Sequence, residues 1–245
     1  MTDYEQIITQ PVFFLFVAFS LVLTWGYFRG KRRNKDLYVS AFEDLVRIFK
    51  PDDQKFTNIG GAIGSHANLY IRKKKSFLSQ VDATITMLPR HSLLYLPISK
   101  LIRKCDRLFL ELHLKNQPAE EWHLLEKGYA RFSRIRIANL DKLEAETVNW
   151  GGYDFDLLSG SEPMRQKLLD FLAKNPDPGG IRHIALVPEQ KKCFVFMIPW
   201  KGEVASPLQA VYSWLPSLVK NMERSEVSFA SGKSDIFFAP KGAKK

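Results

Sequence analysis

The chain has 245 residues, 45% hydrophobic and 25% charged, with a formal net charge of +10. This is an ordinary globular balance with room for one large or two small domains, and its positive excess points to an anionic partner such as RNA, phospholipid headgroups or an acidic protein face. Two cysteines, Cys105 and Cys193, without CxxC or Cys/His spacing exclude a disulfide framework and read as reduced, buried thiols of a cytosolic domain.

From Pro11 to Phe28 the chain reads PVFFLFVAFSLVLTWGYF, without one charge. Extended upstream to Ile7, this run covers roughly 27 to 33 Å as a helix, enough for a hydrocarbon core of about 30 Å. A cleaved signal peptide needs a positive start and a small-residue cleavage site, and neither MTDYEQ nor TWGYFRGKRR supplies them. All the flanking cations lie on the C-terminal side: Arg29, Lys31, Arg32, Arg33 and Lys35. The positive-inside rule therefore predicts a short N-terminal tail outside and residues 30–245 in the cytosol, at the endoplasmic reticulum of a eukaryote or the plasma membrane of a prokaryote. Trp25, Tyr27 and Phe28 are expected at the membrane interface, with those cations on anionic lipid at about 1 kcal/mol each.

Further on, KDLYVSAFEDLVRIFK spaces Leu37, Ala41, Leu45, Val46 and Phe49 as one helical face that ends at Pro51. This amphipathic helix is expected to pack on the following domain. Strand signals come next in QKFTNIGG, NLYIRKK and QVDATITML, the last alternating Val81, Ala83, Ile85 and Met87 against polar residues. HSLLYLPISKLIRK predicts a helix disturbed by Pro97, and DRLFLELHLK a strand with Leu108, Leu110, Leu112 and Leu114 on one face. EEWHLLEKGYARF and RIRIANLDKL fit either helix or strand.

Beyond Gly151-Gly152, YDFDLLS predicts a strand, and Ser161 with Pro163 opens a helix that stops at NPDPGG. IRHIALVPE and KKCFVFMIPW predict a hairpin turning near Gln190. Ser206, Pro207 and Gln209 form a cap signature, with Ser206 as the cap, for a helix with Leu208, Val211, Trp214, Leu215, Leu218, Val219 and Met222 toward a core. The tail lacks periodicity, apart from a docking strand allowed at residues 236–238.

Motifs that carry chemistry are scarce. His66, His91, His113, His123 and His183 have no metal-ligand spacing, and GGAIGS from Gly60 to Ser65 lacks the Lys-Ser/Thr of a P-loop and reads as a turn. No catalytic residue, metal, cofactor or small-molecule substrate is predicted. Basic clusters remain at Arg72, Lys73, Lys74 and Lys75, at Lys100, Arg103, Lys104 and Arg107, and at Arg131, Arg134 and Arg136. They fit a solvated face, or a surface that reads phosphates of RNA or lipid, being interleaved with Tyr70, Phe77 and Phe132. The first two clusters are the candidate anionic-partner sites.

The anchor ending in GYFRGKRRNKDL, the helix AFEDLVRIFK, the stretch LPRHSLLYLPISKLIRKCDRLFLELHL and the late pair FVFMIPW and PLQAVYSWLPSLVKNME resemble the calumin family, coiled-coil-domain subunits of the PAT translocon complex. The similarity spans about Phe13 to Glu223 and is one of order and texture. It implies a non-enzymatic cytosolic domain near the ribosome and the protein-conducting channel, with rRNA and translocon or insertase subunits as partners, that assists insertion of multipass membrane proteins. The family's acidic lumenal half corresponds only to MTDYEQIITQ, and its charged C-terminal coiled coil to SGKSDIFFAPKGAKK. Calcium binding and ribosome latching by those parts therefore do not carry over.

The expected architecture is α+β: a tail (1–10), a transmembrane helix (11–28), a basic juxtamembrane segment with an amphipathic helix (29–50), a cytosolic domain of mainly antiparallel strands (51–225), and a flexible basic tail (226–245). A sub-boundary near residue 151 is permitted. The alternative function is a membrane-tethered enzyme or a lipid-headgroup-binding domain using the same basic face.

Overall fold

A computed structural model describes residues 10–133, 137, 139–200 and 202–219. The expectations for the N-terminal tail, Arg134, Arg136, Met222 and the basic C-terminal tail with its docking strand lie outside the described residues.

The apolar run and the amphipathic segment form one uninterrupted helix, α1 (Pro11–Phe49). It is long and apolar enough to cross a membrane, and only 6% of its most apolar stretch is buried. Its second half is buried along Leu37, Ala41, Phe42, Leu45, Ile48 and Phe49. The helix stops because Lys50 turns left-handed (φ 45°) and Pro51 follows.

Among the described residues nine strands then form one sheet: β1 (Asp53–Asn58), β2 (Gly64–Tyr70), β3 (Leu78–Thr86), β4 (Arg107–Leu114), β5 (Trp122–Glu126), β6 (Glu144–Trp150), β7 (Tyr153–Ser159), β8 (Ile181–Val187) and β9 (Lys192–Met197). Their spatial order is β1-β2-β3-β4-β9-β8-β5-β7-β6, with every neighbouring pair antiparallel. Between strands lie α2 (Leu96–Arg103), α3 (Lys127–Ser133) and α4 (Glu162–Lys174), and after them α5 (Ala205–Trp214). The molecule is thus α+β, with a long apolar N-terminal helix and a wholly antiparallel sheet.

The period-two runs face as alternation requires. Val81, Ala83 and Ile85 of β3, Leu108, Leu110 and Leu112 of β4 and Cys193, Val195 and Met197 of β9 are all buried on one face. The second half of α1, α4 and α5 cover that face, and their aromatic rings lock together: Phe49 meets Tyr212 edge-on, and Phe171 stacks on Trp214.

EEWHLLEKGYARF proves to be both alternatives in succession, strand β5 and then α3. Pro97 falls in the first turn of α2, where its missing N–H costs nothing, so it begins that helix instead of disturbing it. Ser161 caps α4 as expected, its Oγ accepting from the Met164 amide. The cap expected at Ser206 is corrected: α5 starts from Val204, with no side-chain cap, and Ser206 lies inside the first turn. Gly151 and Gly152 (φ 58° and 83°) make the two-residue turn of the β6–β7 hairpin within the single sheet. The permitted subdivision near residue 151 therefore falls at a hairpin turn, not between two cores.

Candidate functional site

Three residues spaced one helical turn apart, Gly26, Gly30 and Asn34, form a buried stripe on α1. A Cβ on Gly26 would lie 2.2 Å from the Leu93 side chain, and one on Gly30 would lie 2.0 Å from the Arg90 carbonyl oxygen. At Gly30 the obstructing atoms are backbone, so only glycine allows that approach. One turn on, fully buried Asn34 donates from Nδ2 to the carbonyls of Ala62 (2.8 Å) and Leu88 (2.9 Å), and its Oδ1 accepts from Arg90 Nη1 (2.9 Å). Arg90 in turn forks onto Asp106, at 2.9 and 2.6 Å, and Asp106 Oδ1 also accepts from the Leu88 amide. All three polar side chains are satisfied, as their burial requires.

This network closes the neck of the long β3–β4 connection. Residues 88–93 run antiparallel to α1 from Asn34 down to Gly26, α2 follows, and the chain returns to the same height at Asp106. The domain therefore has a near end, beside Gly26–Asn34, and a far end, beside Phe49 and Lys50.

The residues assigned to the membrane interface lie at or just before the near end. Trp25, Tyr27 and Phe28 are exposed, as are Arg29, Lys31, Arg32, Arg33 and Lys35. Arg29 sits over the Trp25 ring at 5.3 Å and Lys31 over the Tyr27 ring at 5.9 Å.

The two basic clusters assigned to an anionic partner do not come together. Lys100 and Arg103 lie on α2, Lys104 closes it and Arg107 opens β4, all at the near end. Arg72, Lys73, Lys74 and Lys75 form the exposed β2–β3 turn at the far end, where Lys73 Nζ donates to the Lys50 carbonyl at the end of α1 (3.1 Å). Within that turn Arg72 pairs with Asp53 at 3.2 Å. About 30 Å of helix, from Gly30 to Lys50, separates the two clusters.

Two concave features also went unanticipated. A near-end cleft of about 690 Å³ is lined by Arg33, Asp36, Ser40, Lys104, Cys105 and Trp200 among others. Burial holds the Cys105 thiol above its usual range, the opposite of an activated nucleophile. A shallower groove of about 550 Å³ lies between α1 and β1, where Phe42 stacks on Phe56.

The chain matches no model of a known protein family and no curated protein in sequence.

On the sheet face away from the core helices, Asp82 accepts from Asn68, Gln80 and His113. Burial works to raise its pKa, but those hydrogen bonds outweigh burial and hold the carboxyl below its usual value. His123 and His183 stack at 5.8 Å, and burial lowers both, His183 to about 3 with the neighbouring imidazole adding to the effect. Among the described residues no group of three His, Cys, Asp or Glu could hold a metal ion. The strand register that pairs β5 with β8 brings the imidazoles together, a relation invisible in a sequence where they lie in separate strands.

Proposed function

We propose that the chain is a single-pass membrane protein, N-terminus outside and α+β domain in the cytosol. We further propose that it acts without catalysis as a ribosome- and translocon-facing factor in multipass membrane protein insertion, a distant or minimal relative of the calumin family. The observation that carries this reading is the height of the Arg72–Lys75 turn. The Gly26–Asn34 stripe fixes the domain to the apolar helix without a linker. With Gly30 at the membrane surface, the basic turn stands about 30 Å above it. Salt screens charge over about 8 to 10 Å, so lipid headgroups exert almost no pull there. Its anionic partner comes from the cytosol, and phosphates on the ribosome surface fit a cluster held at that height.

A second reading, binding of a lipid headgroup, is favoured by the near-end cleft, whose lining includes Arg33 and Lys104, with Asp36, and the exposed Trp200. The two readings occupy opposite ends of the domain and are compatible.

Crosslinking in native membranes followed by partner identification tests the proposal: recovery of ribosomal and translocon or insertase subunits is expected, and recovery of neither contradicts it. Protease added to sealed, right-side-out cells should leave the domain intact; digestion there would overturn the orientation.

A further inference from the structure

The β3–β4 connection spans residues 87–106, far longer than a hairpin needs, and loops of that length inside a compact domain are commonly functional. Its neck is clasped by Asn34, Arg90 and Asp106. Its tip is α2, and helical hydrogen bonding starts one turn earlier, with the Leu96 amide on the Ser92 carbonyl and the Ser99 amide on the Tyr95 carbonyl.

Apart from the half-buried Leu96, the apolar residues of this tip face away from the protein. Leu94 is 67% exposed, Ile98 52%, Leu101 81% and Ile102 60%, with Tyr95 beside them, while Ser99 is the buried residue of α2. At 100° per residue these positions fall within an arc of about 120°. Lys100 and Arg103 lie on the other side. An amphipathic helix that buries Ser99 and exposes Ile98, Leu101 and Ile102 is inverted for a water-facing element.

Its place beside α1 says what covers it. Leu93, which leads into the tip, packs on Gly26, level with Trp25 and Tyr27, and His91 meets the Tyr27 ring edge-on at 5.8 Å. The exposed face of α2 is thus continuous with the exposed apolar belt of α1, at the height where rings give way to Arg29, Lys31 and Arg32. We propose that α2 is a second membrane anchor, lying in the interface of the same leaflet with Leu94, Tyr95, Ile98, Leu101 and Ile102 among the acyl chains and Lys100 and Arg103 at the headgroups. The occupant of this face is a lipid surface, supported by that continuity and by the cations along the opposite side. A single helix leaves a domain free to swivel about its axis; a second contact fixes which way the far-end turn points.

This inference rests on α1 crossing the membrane, and the test separates the two. The full chain carrying Cys105→Ser, with Cys193 buried, is spin-labelled singly at Leu101→Cys, at Leu21→Cys in α1 or at Lys75→Cys in the far-end turn. It is then reconstituted in phosphatidylcholine/phosphatidylserine nanodiscs. Collision with oxygen, which concentrates in acyl chains, is compared with collision with a water-soluble nickel chelate. The expected result is oxygen-dominated relaxation at residues 21 and 101 and nickel-dominated relaxation at 75. Nickel-dominated relaxation at 101 with oxygen-dominated relaxation at 21 overturns the second anchor and leaves the first standing. Nickel-dominated relaxation at both overturns both. Protection of 101 from both reagents shows protein covering α2, which also overturns the proposal. Residue 101 points out of the fold, so the labelled variant should retain wild-type circular dichroism.

Discussion

Gly30 and Arg90 are in backbone contact: a Cβ on Gly30 would stand 2.0 Å from the Arg90 carbonyl oxygen, and the same Arg90 reaches past it to bind Asn34 and Asp106. One contact between a helix and a loop thus turns an apolar helix and an α+β domain into a single rigid piece.

Gly30→Ala should push the loop off α1, because the obstructing atoms are backbone and cannot rotate away. Overpacking of this kind costs roughly 1 to 3 kcal/mol. Thermal unfolding in detergent should show a lower midpoint, whereas Gly61→Ala at the open β1–β2 turn should show only the smaller strain of its positive φ.

Arg90→Met leaves Asp106 buried without its cation, and breaking a buried pair in this way costs about 3 to 5 kcal/mol. Chemical denaturation of the single variant should show that loss. A larger loss in Arg90→Met than in Arg72→Met is expected, since the exposed Arg72–Asp53 pair contributes about 0 to 1 kcal/mol.

Much of this was legible in sequence, and the misses have physical causes. The Leu37–Phe49 face and the alternation in β3 and β4 came through because burial on one side leaves a periodic mark, and the uncharged run because its length and lack of charge need no period to be read. β6 left none: it is an edge strand whose inward residues are Glu146, Val148 and Trp150, so a run such as EAETVNW lacks alternation. The apolar spacing of HSLLYLPISKLIRK was visible, but periodicity marks a face without saying whether protein or lipid covers it. Gly26, Gly30 and Asn34 were readable as a four-residue spacing of small and polar residues. That signal was hidden inside the apolar and basic runs, which already had an explanation.

The stacked histidines predict an acid limb. Their folded pKa values lie below the unfolded value of about 6.5, so the unfolded chain binds more protons below that pH. Their contribution is complete above about pH 6.5 and is lost as pH falls from there toward the folded value, by at most about 1.4 kcal/mol per unit for each histidine. Denaturation midpoints measured between pH 7 and 4.5 should fall for the native chain and fall less for His183→Phe. Equal slopes would contradict this account. Asp82 acts in the same direction but only as pH drops through the carboxylate range, so the upper part of that window reports the histidines.

The central claim is that the far-end basic turn engages a ribosome while the near end stays on lipid. The full chain in nanodiscs should co-sediment with ribosomes at low salt and release steeply as salt rises, since each phosphate contact frees counterions. Reversing charge at Arg72, Lys73, Lys74 and Lys75 to Glu should abolish co-sedimentation, and reversing Lys100 and Arg103, which act on the lipid side, should reduce it far less. Undiminished co-sedimentation of the Arg72–Lys75 variant, or none by the native chain at low salt, would contradict the account.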